Sequence, residues 1–310
     1  MKNDLWPALP LQEWQDTYAT LHMWTQIVGK IRLALTPLIN HWWNVPLYVT
    51  ARGLTTSAMP YGERTFEIDF DFVDHQLVVK LDDGTNASIP LIPRSVADFY
   101  GEVQRTLNGL GIRVKIWPVP VEVQDPIPFE QDHSTASYDA EYANRFWRIL
   151  VQADKVFTEF RSRFIGKCSD VNFYWGSFDL AVTRFSGRRA PEREGADKIT
   201  REAYSHEVIS HGFWPGMRTS EPIERSKSDG LIHAPAFYSY TAPEPPGLKE
   251  AAVQPKQAFY GTLVNEFILL YDDVRTTAAP EKLLLEFMQS AYEAGANLAH
   301  WDRASLERDS

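Results

Sequence analysis

The hydrophobic positions near the start of the chain recur mostly at steps of three and four residues between Leu11 and Leu38. This spacing places them on one face of a helix, so it predicts a long amphipathic helix that ends near Pro37. The stretch from Tyr138 to Phe164 has the same spacing and predicts a second long helix. Each predicted helix is followed by sequence with a different period.

After the first helix, apolar residues alternate with acidic residues, which is the two-residue period of a half-buried strand. A turn-forming sequence at residues 73–76 predicts a hairpin. Ser95 is the expected N-cap of a helix that runs to about Leu107, and residues 114–117 are predicted to form a further strand. The alternating residues are Phe66, Ile68, Phe70 and Phe72 on one side and Glu67, Asp69 and Asp71 on the other.

The second long helix is followed by elements of the same kinds. A strand is predicted over residues 171–184 and another over residues 204–214. A polar loop follows each of them, at residues 187–198 and at residues 216–229. The order of helix, strand and loop in the first half therefore recurs in the second.

The C-terminal part of the chain is predicted to end in a helix, with Pro280 as its first residue. Before it, residues 237–240 form a predicted strand, and residues 267–271 are either a strand or the end of a helix begun near Lys256. The whole pattern predicts an α+β fold of two similar helix–antiparallel sheet–helix halves. An internal duplication would explain their likeness, and the alternative is that two α+β units share this order by chance.

Proline density marks the junction between the two halves. Residues 118–133 contain four prolines, which suits an extended connector. We expect a first half at residues 1–118, a connector at residues 119–137 and a second half at residues 138–310, packed together as one unit.

Composition narrows the classes of function. The chain carries a formal net charge of −10, and acidic residues interrupt its densest basic stretch, from Arg184 to Arg201, so we expect no nucleic-acid partner. No apolar run approaches the roughly 18 residues of a membrane helix, and the N-terminal residues lack an apolar segment, so no membrane partner is expected. The single cysteine, Cys168, excludes an intrachain disulfide and favours a reducing, cytoplasmic location.

No cofactor and no metal are predicted. The sequence has no phosphate-binding glycine loop, nucleotide fingerprint or zinc-spaced set of Cys and His. His206 and His211 are five residues apart, whereas a zinc-protease helix needs a spacing of four. The acidic row between residues 67 and 71 is interpreted as a solvated strand face rather than a calcium site.

Three segments rich in aromatic residues carry a family resemblance. They are HWW at residues 41–43 with GLTT at 53–56, FYWGSFDLAVTRFSGR at 173–188, and REAYSHE at 201–207 with GFWPG at 212–216. Over nearly its whole length the chain resembles a bacterial family catalogued only as a domain of unknown function. The resemblance implies no activity, cofactor or catalytic residue.

The predicted strand over residues 173–184 contains the first candidate for chemistry. Side chains alternate between the faces of a strand, so Asp179 is expected on an aromatic and polar face, where a carboxylate needs hydrogen-bond partners or a cation, or its pKa rises. Asp179 is therefore a candidate general base or ligand anchor, and the alternative is a structural network. The predicted core face carries Tyr174, Phe178, Leu180 and Val182, and the other face carries Phe173, Trp175, Ser177, Asp179, Ala181 and Thr183.

Two other strands supply further candidates. His206 is either a proton-transfer group or a hydrogen-bonded structural residue. Tyr48 and Arg52 share a strand face in the first half. Arg52 either binds a carboxylate or phosphate, or ties a hairpin to Asp69 or Asp71.

These candidates together predict a small-molecule site between the halves. If the protein is an enzyme, Asp179 and His206 are the predicted catalytic residues of cofactor-independent acid/base chemistry. The alternative is a non-catalytic interaction protein, or a homo-oligomer that buries its aromatic faces against another chain. The predicted ligand-binding residues are Tyr48, Arg52, Trp175, Arg184, Arg188 and Trp214.

The two polar loops, at residues 187–198 and 216–229, flank the strand that carries His206 and are predicted to be mobile lids. Arg188, Arg189 and Arg193 would close the first loop over an anionic ligand. The alternative is that both loops are solvated insertions.

Overall fold

The structure is a computed structural model that describes residues 4–216 and 233–308. Within those ranges it contains seven α-helices and two antiparallel sheets of six strands each, which confirms the predicted α+β class. The predicted loop at residues 216–229 lies, beyond Gly216, outside the described residues. No helix in the described ranges is long and apolar enough to cross a membrane.

The first half begins with α1 (Leu11–Leu35) and ends with α2 (Val96–Gly109). α1 stops before Pro37 because a proline disfavours helical backbone in the residue that precedes it. The Ser95 hydroxyl accepts the backbone N–H of Asp98 at 3.1 Å, which is the cap predicted for α2. The strands between them are β1 (Tyr48–Val49), β2 (Gly53–Thr55), β3 (Met59–Tyr61), β4 (Arg64–Asp71), β5 (Gln76–Leu81) and β6 (Asn86–Pro90).

The first sheet is a meander of order β1-β2-β4-β5-β6, with β3 paired to β4. β4 has the predicted alternation, since Phe66, Ile68 and Phe70 are buried while the acidic residues between them are partly exposed. The prediction of a strand at residues 114–117 is wrong, because this segment joins neither sheet and has no regular structure.

The second sheet has the order β7-β8-β9-β10-β12-β11. Pro280 is the first residue of the last long helix, as predicted, and residues 267–270 form a strand rather than part of a helix. The elements of this half are α3 (Ala140–Ser162), β7 (Asn172–Tyr174), β8 (Asp179–Arg189), α4 (Lys198–Ala203), β9 (His206–Trp214), β10 (Ala236–Ala242), β11 (Phe259–Gly261), β12 (Glu266–Leu270), α5 (Tyr271–Arg275), α6 (Pro280–Leu298) and α7 (Arg303–Leu306).

The strand predicted over residues 171–184 is in fact a hairpin. Tyr174 of β7 pairs with Asp179 of β8, and the turn between them contains Phe178 in left-handed backbone with a φ of 59°. The turn interrupts the alternation of side chains. Tyr174 therefore shares a face with Asp179, and Phe173 is buried in the core, so the predicted face assignments of these two aromatic residues are wrong.

The two sheets meet edge to edge. Leu47, next to β1, and Phe173 of β7 exchange two backbone hydrogen bonds of 2.9 Å. One cluster of buried apolar residues extends from α1 to α6, so the halves share a core. Both halves have the helix–antiparallel sheet–helix order, while their duplication stays a prediction.

Candidate functional site

Helices cover one face of the second sheet, and a row of polar side chains lies on the other. α3 packs on β8, α6 packs on β9 and β10, and side chains beneath these helices, such as Leu180 and Phe213, are fully buried. Cross-strand neighbours share a face, so the register places a row of polar side chains on the opposite side. We call this surface the tyrosine face, and it comprises Tyr174, Asp179, Thr183, Ser210, Tyr238, Tyr240 and Glu266.

Asp179, the first residue of β8, is the most enclosed carboxylate of the tyrosine face, with 7% of its surface exposed. It accepts hydrogen bonds from the hydroxyl groups of Ser177 and Tyr238. Burial raises the pKa of Asp179, and the two hydrogen bonds oppose that rise. Neutral donors, rather than a cation, thus hold this carboxyl group in place.

Tyr238 reaches Asp179 because its cross-strand neighbour, Gly212, has no side chain. A Cβ atom on Gly212 would lie 2.2 Å from the Cζ atom of Tyr238. The tyrosine ring therefore occupies the space above the β9 backbone and directs its hydroxyl group towards β8. A residue with any side chain at this position would displace the ring.

A second carboxyl group enters from the connector. Gln26 of α1 makes two hydrogen bonds of 2.8 Å with the backbone of Val121, which hold the following residue, Glu122, against the β7–β8 turn. Although the residue as a whole is exposed, its Oε1 atom points inward and would lie 2.5 Å from a Cβ on Gly176. Burial and the charge of Asp179 raise the pKa of Glu122.

Glu266, the first residue of β12, provides the third carboxyl group. Burial, and secondarily the charge of Asp179, raise the pKa of Glu266 to about 7. The charge of Asp179 thus acts on both glutamates. Near neutral pH, Glu266 is therefore partly protonated, whereas an ordinary glutamate would be fully ionised.

Tyrosine rings lie beside these carboxyl groups on the same face of the sheet. Tyr238 and Tyr240 are stacked, with ring centroids 6.2 Å apart and an interplanar angle of 11°. The Tyr240 hydroxyl lies 3.0 Å from that of Tyr204, and the guanidinium group of Arg193 lies 4.0 Å from the centroid of the Tyr204 ring. The Tyr204 ring, which contacts Tyr240, thus already holds one cation of the protein itself, the guanidinium group of Arg193.

Two of the predicted ligand-binding residues border the tyrosine face. β1, which carries Tyr48, packs beside β7, which carries Tyr174, and burial raises the pKa of Tyr174. The Tyr48 hydroxyl also accepts a hydrogen bond of 3.3 Å from Arg32. Trp214 packs in the same small apolar cluster as Tyr238.

Trp175 and Arg184 do not line this face. The indole N–H of Trp175 donates to the carbonyl oxygen of Val45 at 2.8 Å, and the residue is 7% exposed, so it anchors the turn. Arg184 lies on the covered face, with its guanidinium group 3.4 Å from the ring centroid of Phe160. Strand alternation sends Arg184 and Asp179, five residues apart, to opposite sides of the sheet.

Arg52 also lies elsewhere. It forms ion pairs of 2.6 Å with both Asp71 and Asp74 at the β4–β5 turn of the first sheet. This is the structural alternative that the sequence left open for Arg52. Its guanidinium fork is occupied by carboxylates of its own chain, so the predicted ligand-binding role has no structural support.

Arg188 is part of β8 rather than of a loop. Its guanidinium group pairs with Glu207 at 2.7 Å and donates to the carbonyl oxygens of Ala299 and His300, just beyond α6, at 2.6 and 3.3 Å. These contacts place an arginine at the negative end of a helix dipole. Arg188 therefore ties β8 to α6, and the predicted lid is shortened to the residues after β8.

His206 and Asp179 stand at opposite ends of the sheet face. The cross-strand partner of His206 is Arg189, which is ten residues from Asp179 along β8. At 3.3 Å per residue this separation is on the order of 30 Å. The two residues cannot act on one bond, so their prediction as a joint catalytic pair is wrong.

The three carboxyl groups at the tyrosine face have in common that they belong to no ion pair of the described residues. Among the ion pairs formed within residues 4–216 and 233–308, none involves Asp179, Glu122 or Glu266. In the same ranges, no three His, Cys, Asp or Glu side chains are arranged as metal ligands. The described hydrogen-bond partners of Asp179 are therefore hydroxyl groups, those of Ser177 and Tyr238.

A family model described as a family of unknown function, DUF5996, matches residues 6–308. The chain belongs to DUF5996. This finding confirms the resemblance predicted from the aromatic-rich segments. Neither a curated protein nor a solved structure matches the chain.

Sequence reasoning missed four residues of the candidate site of this DUF5996 protein: Tyr238, Tyr240, Glu122 and Glu266. The two tyrosines are two residues apart in a predicted strand, so their shared face was available from alternation. No local pattern marks the two glutamates. Glu122 reaches the site through the path of the connector, and Glu266 reaches it through the insertion of β12 beside β10.

Proposed function

We propose that this protein binds an organic cation on the tyrosine face, with Asp179, Glu122 and Glu266 as the counter-charge. The observation that carries the proposal is the convergence of these carboxyl groups and several tyrosine rings, where no lysine or arginine of the described residues forms an ion pair with them. The face of an aromatic ring attracts a cation, and a nearby carboxylate adds a direct charge interaction.

The raised pKa values favour a charged ligand over a neutral one. A neutral apolar ligand would further desolvate the carboxyl groups without offering them a partner, which is unfavourable. A cation would stabilise their ionised forms, which burial and, secondarily, the charge of Asp179 disfavour in Glu122 and Glu266. Binding is therefore coupled to ionisation of the site.

This coupling has a definite sign. In the free protein Glu266 holds its proton up to a pH of about 7. A bound cation lowers the pKa of Glu266, so binding near pH 7 releases a proton and the affinity rises as the pH rises through this range. Titration calorimetry in two buffers of different ionisation enthalpy measures the proton directly.

The experiment compares choline with its uncharged isostere, in which a tert-butyl group replaces the trimethylammonium group. We expect saturable binding of choline and weaker binding of the isostere, because only choline carries the charge. The Asp179→Asn variant should bind choline at least about tenfold more weakly, equivalent to 1.4 kcal/mol. Asp16→Asn is the matched control, since Asp16 is exposed on α1 and is not a residue of the tyrosine face.

Two results contradict the proposal. Equal affinity for choline and its isostere would remove the role of charge, and unchanged binding by the Asp179→Asn variant would remove the site. If neither compound binds and the protein instead self-associates with the tyrosine face protected from hydrogen exchange, the homo-oligomer alternative gains support.

We also propose a cytoplasmic location for the protein. Cys168 is a free cysteine, and burial raises the pKa of its thiol to about 11. The thiol therefore stays protonated at neutral pH, which suits a reducing compartment and a structural rather than nucleophilic role.

A further inference from the structure

A second cluster of polar side chains lies at the end of the sheet opposite to Asp179. Arg189 of β8 and His206 of β9 are cross-strand partners, so their side chains share one face. Lys167 lies beside them, because its carbonyl oxygen accepts the backbone N–H of Phe185 in β8 at 3.0 Å. His41 completes the cluster, with its ring centroid 5.5 Å from that of His206.

The partner of the Lys167 ammonium group is a neutral base. The Nδ1 atom of His41 lies 3.1 and 3.2 Å from the carbonyl oxygens of Glu202 and Ala203, so Nδ1 carries the proton. The Nε2 atom of His41 is therefore an acceptor, and the Lys167 Nζ atom donates to it at 2.5 Å. This bond orients the ammonium group without neutralising its charge.

Aromatic rings form a wall beside the same ammonium group. The Lys167 Nζ atom lies 4.9 Å from the ring centroid of Phe185 and 5.4 Å from that of Trp43. His41 is buried, whereas Lys167 and His206 are partly exposed and Arg189 is exposed. Two charged groups and a histidine are thus accessible next to an apolar wall.

The cluster lacks an acidic counterpart in the part of the chain that is described. None of the ion pairs there involves Lys167, Arg189, His206 or His41. Burial lowers the pKa of His206, and repulsion from Lys167 and Arg189 lowers it further. An anion between these groups would relieve that repulsion.

We propose that Lys167, Arg189 and His206 bind a phosphate group, with Trp43 and Phe185 in contact with the organic part of the ligand. A phosphate has several acceptor oxygens in a tetrahedral arrangement, so it can engage an ammonium point charge, a guanidinium fork and an imidazole N–H at once. A carboxylate carries less negative charge and its two oxygens lie in one plane, so it matches three donors on different sides of a ligand less well than a tetrahedral phosphate does.

This site is distinct from the proposed cation site. Phe185 is six residues from Asp179 along β8, which corresponds to about 20 Å at 3.3 Å per residue. The residues of the proposed phosphate site are basic, whereas those of the proposed cation site are acidic. Failure of either proposal therefore leaves the other standing.

The test is a calorimetric titration at low ionic strength with inorganic phosphate, phenyl phosphate and benzoate. We expect one saturable site for phosphate, tighter binding of phenyl phosphate because of the aromatic wall, and weaker binding of benzoate. Lys167→Met should weaken phosphate binding at least about tenfold, and His206→Asn and Arg189→Met about three- to tenfold. Lys282→Met, an exposed substitution on α6 with the same charge change, should have no effect.

Three outcomes would overturn the proposal: no saturable phosphate binding by the unmodified protein, equal binding by Lys167→Met, or tighter binding of benzoate than of phenyl phosphate. Thermal melts establish that each variant is folded. If Lys167→Met does not fold, Arg189→Met decides, because Arg189 is exposed and unpaired within the described residues. Unchanged phosphate affinity in that variant would then refute the site.

Discussion

Each of the two sheets has a face that carries carboxylates, and the groups around those carboxylates differ between the sheets. On the first sheet, Lys80 of β5 pairs with Glu67 and Asp69 of β4 at 3.2 and 2.5 Å. On the second sheet, the Asp179 carboxylate is held by the hydroxyl groups of Ser177 and Tyr238. One face neutralises its acids with its own cations, and the other surrounds them with neutral and aromatic groups.

The pKa values of the carboxyl groups shift in opposite directions on the two sheets. Although burial opposes it, hydrogen bonds from Arg52 and from the backbone amides of Asp74 and Val73 hold the pKa of Asp71 below its ordinary value. Burial instead raises the pKa of Asp179 and brings that of Glu266 to about 7. An acidic strand face is thus a solvated surface when the neighbouring strand supplies cations, and a candidate site when it supplies tyrosines.

The largest effect is expected from Gly212→Ala on the second sheet. The new Cβ would lie 2.2 Å from the Tyr238 ring, so the ring must move and Asp179 loses a donor. Overpacking of this kind should destabilise the protein by about 2–3 kcal/mol in denaturant unfolding.

A double variant sharpens this prediction. Adding Tyr238→Ala to Gly212→Ala removes the clash, so the two substitutions should be clearly non-additive. Strictly additive effects would mean that the glycine does not make room for the tyrosine.

The next effect is a pH dependence that only the second sheet should show. The folded-state pKa of Glu266 is raised from 4.5 to about 7, so ionising it costs stability that is intact below pH 4.5 and is lost as the pH rises towards 7. Glu266→Gln removes this penalty. It should stabilise the protein by about 2 kcal/mol at pH 8 and by nothing at pH 4.

Glu67→Gln on the first sheet is the matched control. Glu67 is paired with Lys80, so its loss should lower stability slightly at pH 8, by less than about 0.5 kcal/mol. Stabilisation by both substitutions would erase the difference between the two faces. Urea unfolding at the two pH values measures both variants.

A smaller effect is expected from Lys80→Met. This change leaves Glu67 and Asp69 without their shared cation, but the lysine is half exposed, so the loss should be about 0.5 kcal/mol and should shrink in high salt. A loss that persists in high salt would show that packing of the lysine stem, rather than charge, is responsible.

The smallest effect concerns Arg52→Met, which should leave choline affinity unchanged. Its partners are Asp71 and Asp74 of the first sheet, and none of its contacts belongs to the tyrosine face. A clear loss of choline binding in calorimetry would return Arg52 to the ligand site that the sequence predicted for it.

The sequence by itself determined the helices and their ends. The three- and four-residue period of α1 and α3, the Ser95 cap of α2 and the proline that begins α6 all act within a few residues. It also placed Asp179 and Thr183 on one strand face, because alternation along a strand is a local property. The aromatic neighbours that it assigned to this face, Phe173 and Trp175, lie elsewhere. The same alternation already separates Arg184 from Asp179.

Only the tertiary structure decided which groups surround Asp179. Tyr238 is 59 residues away and becomes its partner through the register of β8, β9 and β10 and the bare backbone of Gly212. Whether a carboxylate meets a lysine, as on the first sheet, or a tyrosine, as on the second, depends on which residue the neighbouring strand places opposite it. Register results from packing across the whole sheet, so no local stretch of sequence contains it.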